Sequence, residues 1–221
     1  MTDVCYGQLG MSELHSDSER LPAALERGPL VLHAGPGVEL TREQFFRLCT
    51  LNRDLRLERS AGGDIIVMPP AGGKTGARSS NLLLQVAVWA RADGTGVTFD
   101  SSTGFELPDG AIRSPDVAWV RRTRLLVLTA EQKERFLPLC PDFVIELLSP
   151  SDSLSLMQEK MDAYIANGTQ LGWLIDPAQR RAYVYQPATT VEQLEGPSSL
   201  RGDPLLAGFV LDLAPVWEPG F

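Results

Sequence analysis

The chain has 221 residues and a formal net charge of −8, from 20 Lys and Arg against 28 Asp and Glu. That length suits one domain with a sizeable core and room for an appended segment. The acidic balance excludes broad, non-specific binding of nucleic acid over the whole surface, and no apolar run approaches the ~20 residues of a membrane span. Any nucleic-acid function must therefore rest on a local site. Hydrophobic and charged fractions of 43% and 22% are those of an ordinary soluble globular protein. The opening "MTDVCYGQLGMSELHSDSER" lacks a basic stretch followed by an apolar one, so no secretion signal is expected. Cys5, Cys49 and Cys140 are odd in number and scattered. They fit neither a disulfide framework nor a zinc site, and a reducing cytoplasm is the expectation.

Residues 1 to about 37 show no sustained periodicity and read as an irregular N-terminal extension, with a domain over 38–221. "ELTREQFFRLC" opens a helix, with Thr41 and Gln44 at the spacing of a capping box. "LRLERSAGGDIIVM" reads as two strands around a Gly-rich turn. A long apolar-faced helix is expected from about Thr75 to Ala92. "GVTFDSSTGFEL", the turn "PDG" and "AIRSPDVAWV" then read as strand, turn and strand. After a short helix near "AEQKERF", "PDFVIELL" gives an apolar strand without alternation, the pattern of a strand covered on both faces. A helix follows from about Ser153 to Asn167, ended by Gly168. "LGWLIDP" and "RRAYVYQP" are further strands, and the tail reads as β-like and loose. The expected class is α+β, a mixed sheet with at least two helices packed on it.

The only histidines, His15 and His33, lie in the irregular segment, so no Ser-His-Asp or Cys-His arrangement is expected. A metal site would have to be built from carboxylates, which points to a hard cation such as Mg²⁺ or Mn²⁺. "AGGKTG" is not a Walker phosphate loop: the pattern needs a Gly five positions before Gly73, and Met68 stands there. It reads as a plain loop whose Lys74 and Arg78 could touch a phosphate backbone.

Two carboxylates interrupt apolar strands: Asp116 in "SPDVAWV" and Glu146 in "PDFVIELL". An ionised carboxylate in such a place costs several kcal/mol unless a cation or hydrogen bonds compensate. Shared coordination of one divalent cation would supply that compensation. Separate pairing with Arg113 or Arg121, or a place at an exposed edge, would supply it equally. Lys160 falls at the border of the apolar stripe of its helix, at about 100° per residue, beside Met157 and Tyr164. Its stem could bring the ammonium to the carboxylates, or it could snorkel to solvent. Glu58 alternates with Leu55 and Leu57, as a solvated strand residue or a further acidic ligand.

From about Thr41 to Trp217 the chain resembles the Uma-two (Uma2) family of restriction endonucleases, a branch of the PD-(D/E)XK nuclease superfamily. The stretches that carry the resemblance are "LERSAGGDIIVMPP", "STGFELPDGAIRSPDVAWV", "CPDFVIELLSPSDSLSLMQEKMDAYIANGTQLGWLIDP" and "LAGFVLDLAPVW". The resemblance implies a restriction-endonuclease-like mixed β-sheet flanked by helices, over 38–221. It implies that Asp116 is the Asp of the PD element and Glu146 the acid of the next strand. The superfamily's lysine stands two positions after that acid, where this chain has Leu148. The family's remedy is a lysine on the following helix, the place of Lys160. Glu58 matches the Glu on the strand before the hairpin turn.

The implied activity is Mg²⁺- or Mn²⁺-dependent hydrolysis of DNA phosphodiester bonds. Asp116, Glu146 and a strand carbonyl such as that of Leu147 would hold the ion, and Glu58 would complete the shell or bind a second metal. Lys160 would orient the attacking water or stabilise the transition state. A basic rim of Lys74, Arg78, Arg113, Arg121 and Arg122 is expected around the pocket, with Asp152 or Ser153 capping the helix that carries Lys160. A homodimer would ease cleavage of both strands. The competing expectation, favoured by the negative charge and the displaced lysine, is a catalytically inactive nuclease fold acting as a binding or regulatory module. Hydrolysis of another phosphoester is a third.

Overall fold

The structure, a computed structural model, describes residues 29–35 and 40–221. Most of the expected N-terminal extension, with Cys5 and His15, lies outside the described residues. The first half of the chain runs β1 (Leu30–Leu32), α1 (Arg42–Leu51), β2 (Arg56–Arg59), β3 (Ile65–Met68), α2 (Gly73–Asp93) and β4 (Gly96–Asp100). Next come β5 (Phe105–Glu106), β6 (Ile112–Arg113), β7 (Val117–Arg121), α3 (Arg122–Leu126), α4 (Ala130–Lys133), β8 (Phe143–Leu147) and α5 (Leu154–Ala166). The last part holds β9 (Leu171–Asp176), β10 (Arg181–Tyr185), β11 (Glu192–Glu195), β12 (Ser199–Arg201), β13 (Val210–Asp212) and α6 (Ala214–Trp217).

The fold is α+β. A six-stranded mixed sheet has the order β11-β10-β9-β8-β7-β4. All its pairings are antiparallel except β8 with β9, which are parallel and joined through α5, as a parallel pair needs a crossover. Every residue of β8 is buried, as its unbroken apolar run predicts. Side chains alternate between the two faces of a strand. Phe143, Ile145 and Leu147 join Leu82, Val86 and Ala90 of α2 in one core, whereas Val144 and Leu148 join Met161 and Tyr164 of α5 in the other. Glu146 lies between Val144 and Leu148 in that alternation, so it faces α5.

Where one sheet was expected, the described residues form a second of five antiparallel strands, β1-β3-β2-β6-β5, and a two-stranded ribbon of β12 and β13. The stretch "GVTFDSSTGFEL" divides between the two large sheets. The carboxylate of Asp100 accepts hydrogen bonds from the Ser102 amide and from the Ser102 and Thr103 hydroxyls, and this Asx-type turn ends β4. The "PDG" turn closes with Gly110 at φ 87°, where a side chain would be strained. Leu30–Leu32, within the stretch read as irregular, adds an edge strand to β3.

Helix signals in the sequence are met by geometry. Thr41 and Gln44 form the expected capping box on α1, and Thr129 and Gln132 form another on α4. Gly168 ends α5 at φ 112°. The expected cap of α5 takes a different form: Ser153 stands at the N-cap without a side-chain cap bond, and the Asp152 carboxylate accepts from the Ser149 amide instead. The tail is packed rather than loose. Leu200, Leu206, Leu211, Leu213 and Val216 are buried against the α2 face of the large sheet. Arg78 donates to the carbonyls of Val216 and Trp217, at 2.7 and 3.5 Å, serving the orphan acceptors of α6.

A methyl group on Gly96 would fall inside the buried Trp119 indole, whereas one on Gly76 would meet nothing within 4 Å. Gly96→Ala should therefore lower the unfolding free energy in urea by about 1–3 kcal/mol. Gly76→Ala, inside α2, should raise it by up to ~1 kcal/mol. Equal stabilities for the two variants would contradict this packing.

Candidate active site

Register brings the acidic residues together. β7 pairs with β8 so that Val117 lies opposite Ile145; one step further, Asp116 comes level with Glu146. Asp116 Oδ2 accepts a hydrogen bond from the Leu147 amide at 2.9 Å, which ties the residue before β7 to β8. From α5, Lys160 reaches back to the sheet. Its Nζ lies 2.8 Å from Glu146 Oε1 and donates to Glu58 Oε1 at 3.0 Å. The lysine is only 8% exposed, so the snorkelling alternative is not what the fold adopts. One turn further along α5, the Tyr164 hydroxyl donates to the same Glu146 Oε1 at 2.9 Å.

Glu58, on β2 of the second sheet, is buried as well. Besides Lys160 it accepts from the Ser114 amide at 2.9 Å, and its other oxygen accepts from Arg113 at 3.1 Å. Arg113 thus pairs with Glu58, not with Asp116 or Glu146.

The pKa values of the two glutamates are shifted in opposite directions. Burial pushes the Glu146 pKa up to about 7, against the pull of Lys160 and with the help of the Asp116 and Glu58 charges. Glu58 meets the same burial, but Lys160, Arg113 and the Ser114 amide overcome it and hold its pKa below the ordinary value. Burial also raises Asp116, opposed by the Leu147 amide and by Lys160. Burial disfavours the Lys160 charge, yet Glu146 and Glu58 more than offset that and raise its pKa. Tyr164 is pushed well above its usual value by burial and by the Glu146 and Glu58 charges, so it stays a donor.

Asp116 and Glu146 open onto a common cavity of about 750 Å³, whose walls include Arg56, Lys74, Asp152 and Met157. Within the protein's hydrogen bonds, Asp116 Oδ1 and Glu146 Oε2 are unused among the described residues. Among the described residues no cluster of three or more His, Cys, Asp or Glu could hold an ion. Glu58 is turned to Lys160 and Arg113. Two carboxylates facing an open cavity fit Mg²⁺, which binds through one or two carboxylates and keeps waters or substrate phosphates on its other positions.

The expected basic rim is only partly present. Lys74 is exposed on the cavity wall. Arg78 also lines it but is engaged with α6, and Arg113 is engaged with Glu58. Arg121, at the end of β7 away from Asp116, pairs with Asp142, and Arg122 donates to the carbonyls of Gly94 and Gly96. The sequence reading missed Arg56, which lines the cavity and donates to the Ser101 carbonyl at 2.8 Å. Its signal was the strand period: it precedes Glu58 by two positions, on the same face. Tyr164 also lies outside the expected site residues, although its place four residues after Lys160 puts both on one helix face.

The family model described as "Putative restriction endonuclease" (Uma2) matches residues 42–214. A solved structure described as a "putative nuclease belonging to DUF820 from Anabaena variabilis" matches with TM-score 0.63 and 26% identity, over 73% of this chain and 89% of that one. No curated protein matches. The fold is that of a nuclease-type α+β protein, and the chain belongs to the Uma2 family of restriction-endonuclease-like proteins. Among the described residues no helix is long and apolar enough to cross a membrane.

The raised pKa of Glu146 has a measurable consequence for the metal-free protein. A folded pKa of about 7 lies above the unfolded value of ~4.3. The favourable contribution is thus complete below the unfolded pKa and is lost as pH rises through about 7. In chelator, urea unfolding of the wild type should lose up to about 3 kcal/mol more than Glu146→Gln between pH 5 and 8.5. Parallel pH profiles for the two proteins would show that Glu146 is not desolvated.

Proposed function

We propose that this protein is a Mg²⁺- or Mn²⁺-dependent endodeoxyribonuclease of the PD-(D/E)XK type. The observation that carries this reading is the buried Lys160 ammonium, delivered from α5 to Glu146 while Asp116 stands level with Glu146 on the neighbouring strand. Leu148, at the superfamily's lysine position, is an apolar core residue. The cation missing from the strand is thus restored from the helix.

In this reading Asp116 and Glu146 would hold the ion, with a strand carbonyl such as that of Leu147. When bound, the ion would supply a water of lowered pKa and neutralise charge developing on the phosphate. Lys160 carries three protons on its ammonium. Glu58 and Glu146 draw on two of them, and the third serves to orient the attacking water or steady the transition-state phosphate. Glu58 fixes Lys160 in place; to act as a metal ligand it would have to release Lys160 or Arg113. Lys74 and Arg56 on the cavity wall position the DNA backbone, a local electrostatic contact that the net charge of −8 permits. A duplex break by this domain calls for a second copy acting on the other strand.

A second reading, a nuclease fold that binds without cutting, draws support from Leu148 and from the few free cations around the cavity among the described residues. Plasmid and single-stranded DNA incubated with Mg²⁺ or Mn²⁺ separate the two. Wild-type protein should nick or linearise plasmid only with the divalent ion, and Asp116→Ala should not. Lys160→Met should retain Mn²⁺ binding and slow cleavage by on the order of 10²-fold or more. DNA binding without cleavage in either metal would select the second reading. Absence of both cleavage and metal uptake would sink the first.

A further inference from the structure

We infer that Tyr164 is a positioning residue that, together with Lys160, sets the orientation of the Glu146 carboxylate. The inference rests on the metal-site reading above. Glu146 receives no help from its own strand: on the face it shares, its neighbours are the apolar Val144 and Leu148. Among the described residues, both polar side chains that bond or pair with it come from α5, at positions one turn apart. Tyr164 is fully buried, and its hydroxyl donates to Oε1 at 2.9 Å. Lys160 places its ammonium 2.8 Å from the same oxygen. The ammonium also lies 5.9 Å from the centroid of the Tyr164 ring, so the two side chains support each other.

A buried phenol needs a hydrogen-bond partner, and Glu146 Oε1 is the partner Tyr164 has among the described residues. The bond works in both directions. It satisfies the hydroxyl, and it fixes which carboxylate oxygen is spent inside the protein. With Oε1 held by two donors from one rigid helix, Oε2 is the oxygen left for the cavity that Asp116 shares. Outer partners that orient a ligating carboxylate in this way typically govern metal affinity. Tyr164 itself touches neither ion nor substrate.

The test is a Mn²⁺ titration of chelator-treated protein, with free ion followed by electron paramagnetic resonance. Wild type, Asp116→Ala, Tyr164→Phe, Glu146→Ala and the double variant Glu146→Ala/Tyr164→Phe are compared. Tyr164→Phe should raise the Mn²⁺ Kd by roughly 10- to 100-fold. The Mn²⁺ concentration for half-maximal cleavage should rise in parallel, while the KM for DNA stays unchanged. In the Glu146→Ala background the same change should have no further effect on Mn²⁺ affinity, because the group it positions is gone. A wild type that binds Mn²⁺, beside a Tyr164→Phe protein of indistinguishable affinity, overturns the positioning role alone. A wild type that takes up no Mn²⁺ overturns the metal site and the positioning together. Tyr164→Phe protein that is unfolded in chelator also overturns the inference, since it would place the residue's weight on the fold rather than on Glu146.

Discussion

One buried ion pair governs the arrangement of this molecule: the Lys160 ammonium, held between Glu146 of the large sheet and Glu58 of the smaller one. Withdrawing such charges from water costs several kcal/mol each unless geometry and further hydrogen bonds repay it. Here the repayment comes from Arg113 and the Ser114 amide on Glu58, and from the Tyr164 hydroxyl on Glu146. The contributors lie on β2, β6, β8 and α5 or directly beside them. The network therefore joins both large sheets and the crossover helix at one point. Glu146 borders the neighbouring cavity, which Asp116 lines as well.

Within that network the two glutamates are differentiated by their neighbours rather than by burial, which they share. Glu58 sits among cations and an amide and is held ionised. Glu146 sits near two further carboxylates, with one lysine to share, and burial raises its pKa to about 7, so that it is only partly ionised near neutral pH. An acid in that condition gains from a second cation in a way that Glu58 does not. This difference supports the proposal that Glu146 and Asp116 would take the ion, while Glu58 anchors Lys160. It also explains how a lysine carried on a helix is held at the sheet. The lysine's position is set by the charges it meets, and two carboxylates from separate sheets define that position as firmly as a strand backbone would.

Surface electrostatics follow the same economy. Several arginines near the site in sequence serve the fold: Arg78 ties down α6, Arg59 reaches the carbonyls of Leu40 and Gly110, and Arg122 the carbonyls of Gly94 and Gly96. Arg121 and Arg124 share Asp142. Among the described residues the cavity wall keeps Lys74, and Arg56 beside it also donates to the Ser101 carbonyl. A basic residue close in sequence to a functional motif is thus a poor guide to surface charge, because a guanidinium so readily satisfies buried carbonyls.

Local elements and the candidate acids are legible in the residues themselves. An unbroken apolar run marks β8 as covered on both faces, the Thr41–Gln44 spacing starts α1, Gly168 ends α5, and Asp116 and Glu146 stand out because a carboxylate in an apolar strand demands an explanation. The order of motifs also made the family legible. Tertiary structure alone decided the partners. Nothing in the spacing tells that "GVTFDSSTGFEL" divides between two sheets at Asp100, that the tail packs under α2, or that Arg113 belongs to Glu58. Helical period left Lys160 at the border of its stripe, with solvent and sheet equally reachable. Only the opposed positions of Glu58 and Glu146, brought together from residues far apart in the chain, select the inward conformation, because a long-range charge pairing leaves no periodic trace in sequence.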